Sequence, residues 1–135
     1  MIEILVTILI LAIGLLGLAG LQATGLQSNQ SAYARTVAMQ QAYDMADRIR
    51  ANPVAEQTGS YDSLSGIPAD PGCITTGCTP AQMEQTDLYQ WNTDNAALLP
   101  AGVGTVSRNG NLFTVTVMWD DQHTGATGTD CSGDP

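Results

Sequence analysis

The chain has 135 residues, about the length of one domain, and its 13 acidic side chains outweigh four basic ones for a formal net charge of −9. The four cations are all arginine (Arg35, Arg48, Arg50, Arg108) and they do not cluster. A surface that grips phosphate needs a basic stripe, so nucleic acid is disfavoured as a partner, and an anionic membrane surface is disfavoured for the same reason.

A mean hydropathy near zero hides a segregated chain. From Ile4 to Leu21 there is no charge, and every acid except Glu3 lies at Asp44 or beyond. As a helix those 18 residues span about 27 Å, close to the hydrocarbon thickness of a bilayer. A removable signal peptide requires a positive leading region and a shorter apolar stretch; here the charge ahead of the run is the negative Glu3, which favours a span that is kept. A carboxylate at the lip of such a helix is costly unless something positive or hydrogen-bonding meets it, although in the first turn it also complements the helix dipole. Thr7, Gly14, Gly17, Gly20 and Gly25 interrupt the aliphatic sequence. Small residues let neighbouring helices approach closely, at about 1 kcal/mol of helix stability per glycine.

Past Gly25 the helical pattern continues but becomes amphipathic. Ala38, Ala42, Met45 and Ile49 fall at i, i+4, i+7 and i+11 and form a narrow apolar face, with Asp44 and Arg48 paired at i, i+4 on its polar side. Pro53 is the first proline, and it forces Asn52 out of the helical region. One helix is therefore expected from about Ile2 to Arg50, on the order of 70 Å long. Its second half requires a small globular body against one side.

This combination resembles a known family. An apolar helix with a glutamate near its start, followed by IGLLGLAGLQATGLQSNQSAYAR and AYDMADRIRANP, is similar to the type IV pilins and most closely to the PilV-type minor pilins. The segments CTPAQMEQTDLYQWN, LLPAGVGTV and TVTVMWDDQ extend the likeness. The resemblance implies an α+β fold in which a long amino-terminal helix packs on a small antiparallel-sheet head. Residues 1–25 would be the membrane and fibre-core half, and residues 26–135 the periplasmic head. It implies that Glu3 meets the amino terminus of a neighbouring subunit in the membrane, so that burial of an unpaired charge enforces register. Gly14, Gly17 and Gly20 would be helix-packing positions where such helices stretch within a filament. The implied partners are other minor pilins, the major pilin, a PilY-type tip adhesin and, before assembly, the inner membrane. Family precursors carry a short basic leader and more residues ahead of the glutamate than the two here, so Met1 is expected to be a trimmed start.

Residues 54–79 read as loop, rich in glycine, proline, serine and threonine. Cys73 and Cys78 close a segment long enough for a local bridge once Gly77 bends the backbone, and a disulfide is expected ahead of free thiols in an oxidising compartment. Thr79, Pro80 and Gln82 spell a capped helix start. Ala81, Leu88 and Trp91 share a face of that helix, Glu84 lies at its edge, and the helix ends before Pro100. Asn109-Gly110 signals a hairpin that would pair Ser107 with Leu112 and Val106 with Phe113. Phe113, Val115, Val117 and Trp119, with Val106, should then cover the Ala38/Ala42/Met45/Ile49 face, and a third strand or the helix must support the hairpin. Cys131 is left without a partner, and the carboxyl-terminal end is expected to be incomplete.

Asp120, Asp121 and His123 read as a solvated strand-end turn rather than a metal or acid/base cluster, because a second histidine is lacking. The Asp130/Asp134 region lacks the alternating oxygen ligands of a calcium loop. Phosphate-binding loops, nucleophile elbows and dinucleotide fingerprints are missing, so neither an enzyme nor a cofactor or metal protein is expected. Two alternatives remain: an I-type minor pseudopilin of type II secretion, and a membrane-anchored periplasmic binding module.

Overall fold

The computed structural model describes residues 2–122 and 124–125, with Thr76 described in its backbone alone. Met1, His123, Asp130, Cys131 and Asp134 lie outside the described residues. The elements run α1 (Ile2–Ala51), α2 (Pro53–Gln57), β1 (Ser63–Leu64), α3 (Cys73–Thr76), α4 (Pro80–Leu98), β2 (Val103–Asn109) and β3 (Leu112–Met118). The chain forms two compact units, Met1–Tyr33 and Ala34–Pro135. The first is the apolar part of α1; the second is an α+β head that includes the rest of α1.

Within the head, α1 contributes a stripe wider than one row. Val37 and Ala38 are buried with Leu99 and pack with Ala34, Val117 and Trp119. Met45 and Ile49 join Ala55, Tyr61, Leu64, Leu88, Trp91 and Val106, against which Phe113, Val115 and Val117 pack. Ala42 is half-buried. Val37 lies on the flank of the stripe away from Ala42, so the narrow Ala38/Ala42/Met45/Ile49 row understates the face turned to the core.

Asn52-Pro53 ends α1 and starts the next helix. Its side-chain oxygen accepts from the Ala55 amide at 3.4 Å, and Pro53 occupies the first turn of α2, where a missing N–H costs nothing. The expected loop over 54–79 is thus corrected: it holds α2, the short β1 and the single turn α3. β1 is the supporting third strand, pairing Ser63 with Ser107 and Leu64 with Val106 in a sheet of order β1-β2-β3.

The hairpin register also differs from expectation. Asn109 pairs with Leu112, Arg108 with Phe113, Ser107 with Thr114 and Val106 with Val115, so Gly110 and Asn111 form the two-residue loop. Gly110 has φ +61° and neither asparagine is left-handed, as suits a turn with glycine at its first central position; Asn-Gly at the centre would need positive φ at both. Each β2 residue is displaced by two partners relative to the expected pairing. A shift of two preserves side-chain parity, so Val106, Phe113, Val115 and Val117 still face the core.

α4 begins with a complete capping box: Thr79 Oγ1 accepts from the Gln82 amide at 3.3 Å, and Gln82 Oε1 accepts from the Thr79 amide at 3.0 Å. Ala81 is exposed, contrary to the expected face, because α4 turns into the core only from Thr86 onward. From there its buried side is mostly polar: Thr86, Asp87, Asn92 and Asn95 are buried beside Leu88 and Trp91. Asn92 behaves like a strand of backbone, donating to the Gly104 carbonyl at 3.0 Å and the Gly66 carbonyl at 2.8 Å while accepting from the Gly104 amide at 2.7 Å. Asp87 accepts from the Tyr61 hydroxyl at 2.6 Å and pairs with Arg48 at 3.3 Å, and Arg48 also donates to Gln90 at 3.0 Å. These bonds tie α1, the α2–β1 connection and α4 together.

Glu84 lies one turn before Asp87. Burial, and then the Asp87 charge, raise its carboxyl above the ordinary range. A raised carboxyl stabilises the fold below its unfolded-state pKa, and that contribution is lost as pH rises through the folded-state value, so ionised Glu84 costs stability at neutral pH. Glu84→Gln is accordingly expected to raise the urea midpoint slightly at pH 7, with the gain shrinking toward pH 4; a lowered midpoint at pH 7 would contradict this.

Candidate assembly surface

The amino-terminal unit is an apolar helix with no cover. Its large side chains from Ile2 to Leu26 are all exposed, with Leu16 at 73% and Leu21 at 72%. None of its membrane-length apolar window is buried, which removes the reading of a soluble protein's core helix. Such a surface far exceeds the few hundred Å² of contiguous apolar patch that a soluble monomer tolerates, so lipid or other protein must cover it.

The backbone of this unit is fit for that environment. An α-helix satisfies its amides and carbonyls internally, as a span in hydrocarbon must. Both threonine hydroxyls bond back to the helix as well: Thr7 Oγ1 donates to the Glu3 carbonyl at 2.7 Å, and Thr24 Oγ1 to the Leu21 carbonyl at 3.0 Å. Glu3 is exposed in the first turn, and among the described residues its carboxylate has no hydrogen bond or ion pair. Gly14, Gly17, Gly20 and Gly25 are helical, and, the adjoining helix backbone aside, a Cβ at any of them meets no atom of the described residues within 4 Å. Among the described residues no packing contact requires glycine there.

On the head, Cys73 and Cys78 form a disulfide with Cα atoms 5.1 Å apart. It brackets α3, which is entered and left through glycines of positive φ, Gly72 at φ +73° and Gly77 at φ +70°. The Thr86 hydroxyl donates to Cys73 Sγ at 2.9 Å and so seats the clip on α4. Ile74, at its tip, is 90% exposed.

After β3, Asp120 is a turn cap: its carboxylate accepts from the Thr124 amide at 3.1 Å and the Gly125 amide at 2.7 Å. Trp119 Nε1 donates to Asp121 at 3.2 Å. Among the described residues no three His, Cys, Asp or Glu side chains are grouped to hold a metal ion.

The Tt1218-like family model, described as type IV pilin Tt1218, matches residues 20–89, just over half of the chain. This chain belongs to that type IV pilin family. The match starts at the end of the bare apolar stretch and covers the amphipathic half of α1, the disulfide and the first half of α4. The long helix with a three-stranded antiparallel sheet is the type IV pilin fold, and the family is a structural one whose members assemble with other pilins in a pilus. No curated protein and no solved structure matches the chain.

For this pilin the disulfide, the capping box and the apolar helix carry plain local signals. The Arg48–Asp87–Tyr61 cluster and the Asn92–Gly104 pairing carry no local sequence signal. Arg48 is 39 residues from Asp87 and Tyr61 is 26 from it, and only the packed head brings them together.

Proposed function

We propose that this pilin is a PilV-type minor pilin that co-assembles with other minor pilins, and with the major pilin, into a complex that primes pilus growth and forms the tip, where a PilY-type adhesin is presented. The observation that carries the reading is the uncovered apolar helix with one acid at its lip, joined to a head whose sequence resembles that group. Before assembly the helix is held in the inner membrane with the head in the periplasm, an oxidising compartment in keeping with the disulfide. On assembly the helix exchanges lipid for sister helices. Glu3 sets the register, because an unpaired carboxylate in hydrocarbon costs several kcal/mol and only one alignment neutralises it.

In a strain deleted for the gene, wild-type chain is expected to restore surface pili. Glu3→Ala chain is expected to reach the membrane in equal amount and restore about a tenth of them or fewer, the loss corresponding to at least 1.4 kcal/mol of assembly energy. Normal piliation and twitching with Glu3→Ala, or after deletion, would defeat the proposal. Normal pili with failed export of secreted proteins would assign the chain to a type II secretion pseudopilus instead.

A further inference from the structure

Three of the four cations are consumed inside the head. Arg48 pairs with Asp44 at 2.7 Å and Asp87 at 3.3 Å, Arg50 with Asp47 at 2.7 Å, and Arg108 with Asp62 at 3.3 Å and Glu56 at 3.4 Å. Arg35 is exposed and, among the described residues, forms no ion pair. Its own helix cannot supply a partner: the residues within one turn are Ser31, Ala32, Tyr33, Ala34, Thr36, Val37, Ala38 and Met39. The nearest acid along α1 is Asp44, nine residues or about 13 Å of helical rise away.

Arg35 is also the start of a row. Met39 and Tyr43 follow it at i+4 and i+8, on the same helix face, and both are exposed, at 58% and 66%. Arginine, methionine and tyrosine are the residue types enriched where proteins meet and depleted elsewhere on surfaces. The rest of the head presents an excess of carboxylates, so a partner that is itself acidic is repelled over most of this surface and attracted at Arg35. Lipid headgroups are a poorer match. Anionic headgroups are held by clusters of about four to eight cations, and Arg35 stands without another cation within two helical turns.

We propose that Arg35, Met39 and Tyr43 form a contact strip for a neighbouring pilin subunit, in which Arg35 receives a carboxylate of that subunit's head while Met39 and Tyr43 pack beside the pair. The inference rests on the reading of the chain as a subunit that assembles with other pilins, and it adds a second, aqueous determinant of subunit choice to Glu3 in the membrane.

The test is capture of the full-length chain from detergent-solubilised membranes of its own cells, with co-purifying proteins that carry a pilin-type apolar amino-terminal helix quantified by mass spectrometry. Arg35→Glu places like charges together and is expected to lower that recovery about tenfold or more, and Tyr43→Ser to lower it less. Arg35→Lys is expected to retain much of it, and added salt to weaken the wild-type association. Because Arg35 forms no ion pair among the described residues, disulfide formation and the urea midpoint are expected to be unchanged in Arg35→Glu. Wild-type recovery by both Arg35→Glu and Tyr43→Ser overturns the strip and leaves the assembly reading standing. Absence of any pilin partner in the wild-type capture overturns both. A fall in membrane retention of Arg35→Glu with partner recovery intact points to headgroup binding and overturns the strip.

Discussion

Gly104→Ala is expected to destabilise the head by about 3 kcal/mol or more, the upper range for overpacking a rigid core. A Cβ at that position would overlap the six-membered ring of Trp91 and lie 2.7 Å from Asn95 Nδ2. Neither neighbour can step aside. Trp91 is fully buried, and its Nε1 donates to the Gln41 carbonyl at 2.8 Å, which fixes the ring against α1. Asn95 is fully buried too and donates to Asn92 Oδ1 at 3.2 Å, the same oxygen that accepts from the Gly104 amide at 2.7 Å. Moving β2 outward to make room would break both Asn92 bonds to Gly104 and leave buried amide groups unpaired, at about 1–3 kcal/mol each. Urea denaturation of the purified variant measures the loss. Gly110→Ala is the control, because its Cβ meets nothing within 4 Å and only the φ of +61° opposes it, for an expected cost of about 1 kcal/mol. Equal losses in the two variants would show that Gly104 is not held by packing.

The contrast between these glycines bears on what the sequence could and could not reveal. Signals that act within a few residues were legible: the apolar run and its lone acid, the Thr79–Gln82 cap, the paired cysteines and the alternating residues of β3. Even the displaced hairpin kept its faces, because a turn shifted by one position changes the pairing by two and leaves parity intact. Asn52-Pro53 signals the stop of one helix and equally meets the requirements for the start of the next. β1 was invisible because two residues carry no periodicity. The buried asparagines and Asp87 on α4 were hidden for another reason. Their burial is tolerable only once Gly104, Gly66, Tyr61 and Arg48 arrive from distant segments to satisfy them, and composition within the helix reports only that they are polar. On the assembly surface the opposite holds. Among the described residues Glu3 has no ion pair and a Cβ on Gly14, Gly17 or Gly20 would meet open space, so the sequence and the folded subunit describe these positions equally.

Asp87→Ala is expected to cost about 2–4 kcal/mol, more than the loss of one hydrogen bond, because it strands two groups that remain in place. Asp87 is 8% exposed, and its two oxygens take separate partners: Oδ2 accepts from Tyr61 at 2.6 Å and Oδ1 from Arg48 at 3.3 Å. Removing the carboxylate leaves the fully buried Tyr61 with a hydroxyl proton that has no acceptor, since Asn52 approaches that oxygen as a donor at 3.2 Å. Arg48 keeps Asp44 and Gln90, which limits its share of the loss. Tyr61→Phe removes one bond and strands no charge, so its expected cost is about 1 kcal/mol, and the double variant should fall short of the sum of the two. The pH dependence separates the roles further. Burial, and then the bond to Asp87, push the Tyr61 phenol far above its ordinary value, so the fold favours the protonated form. That contribution is whole below the unfolded phenol's pKa, about 10, and is lost as pH rises through the folded-state value. Wild-type head should therefore lose stability above about pH 10 more steeply than Tyr61→Phe. Additive losses, with parallel alkaline unfolding of the wild type and Tyr61→Phe, would mean that Asp87 and Tyr61 are neighbours without being energetically joined, and α1 would then be held to α4 by apolar packing alone.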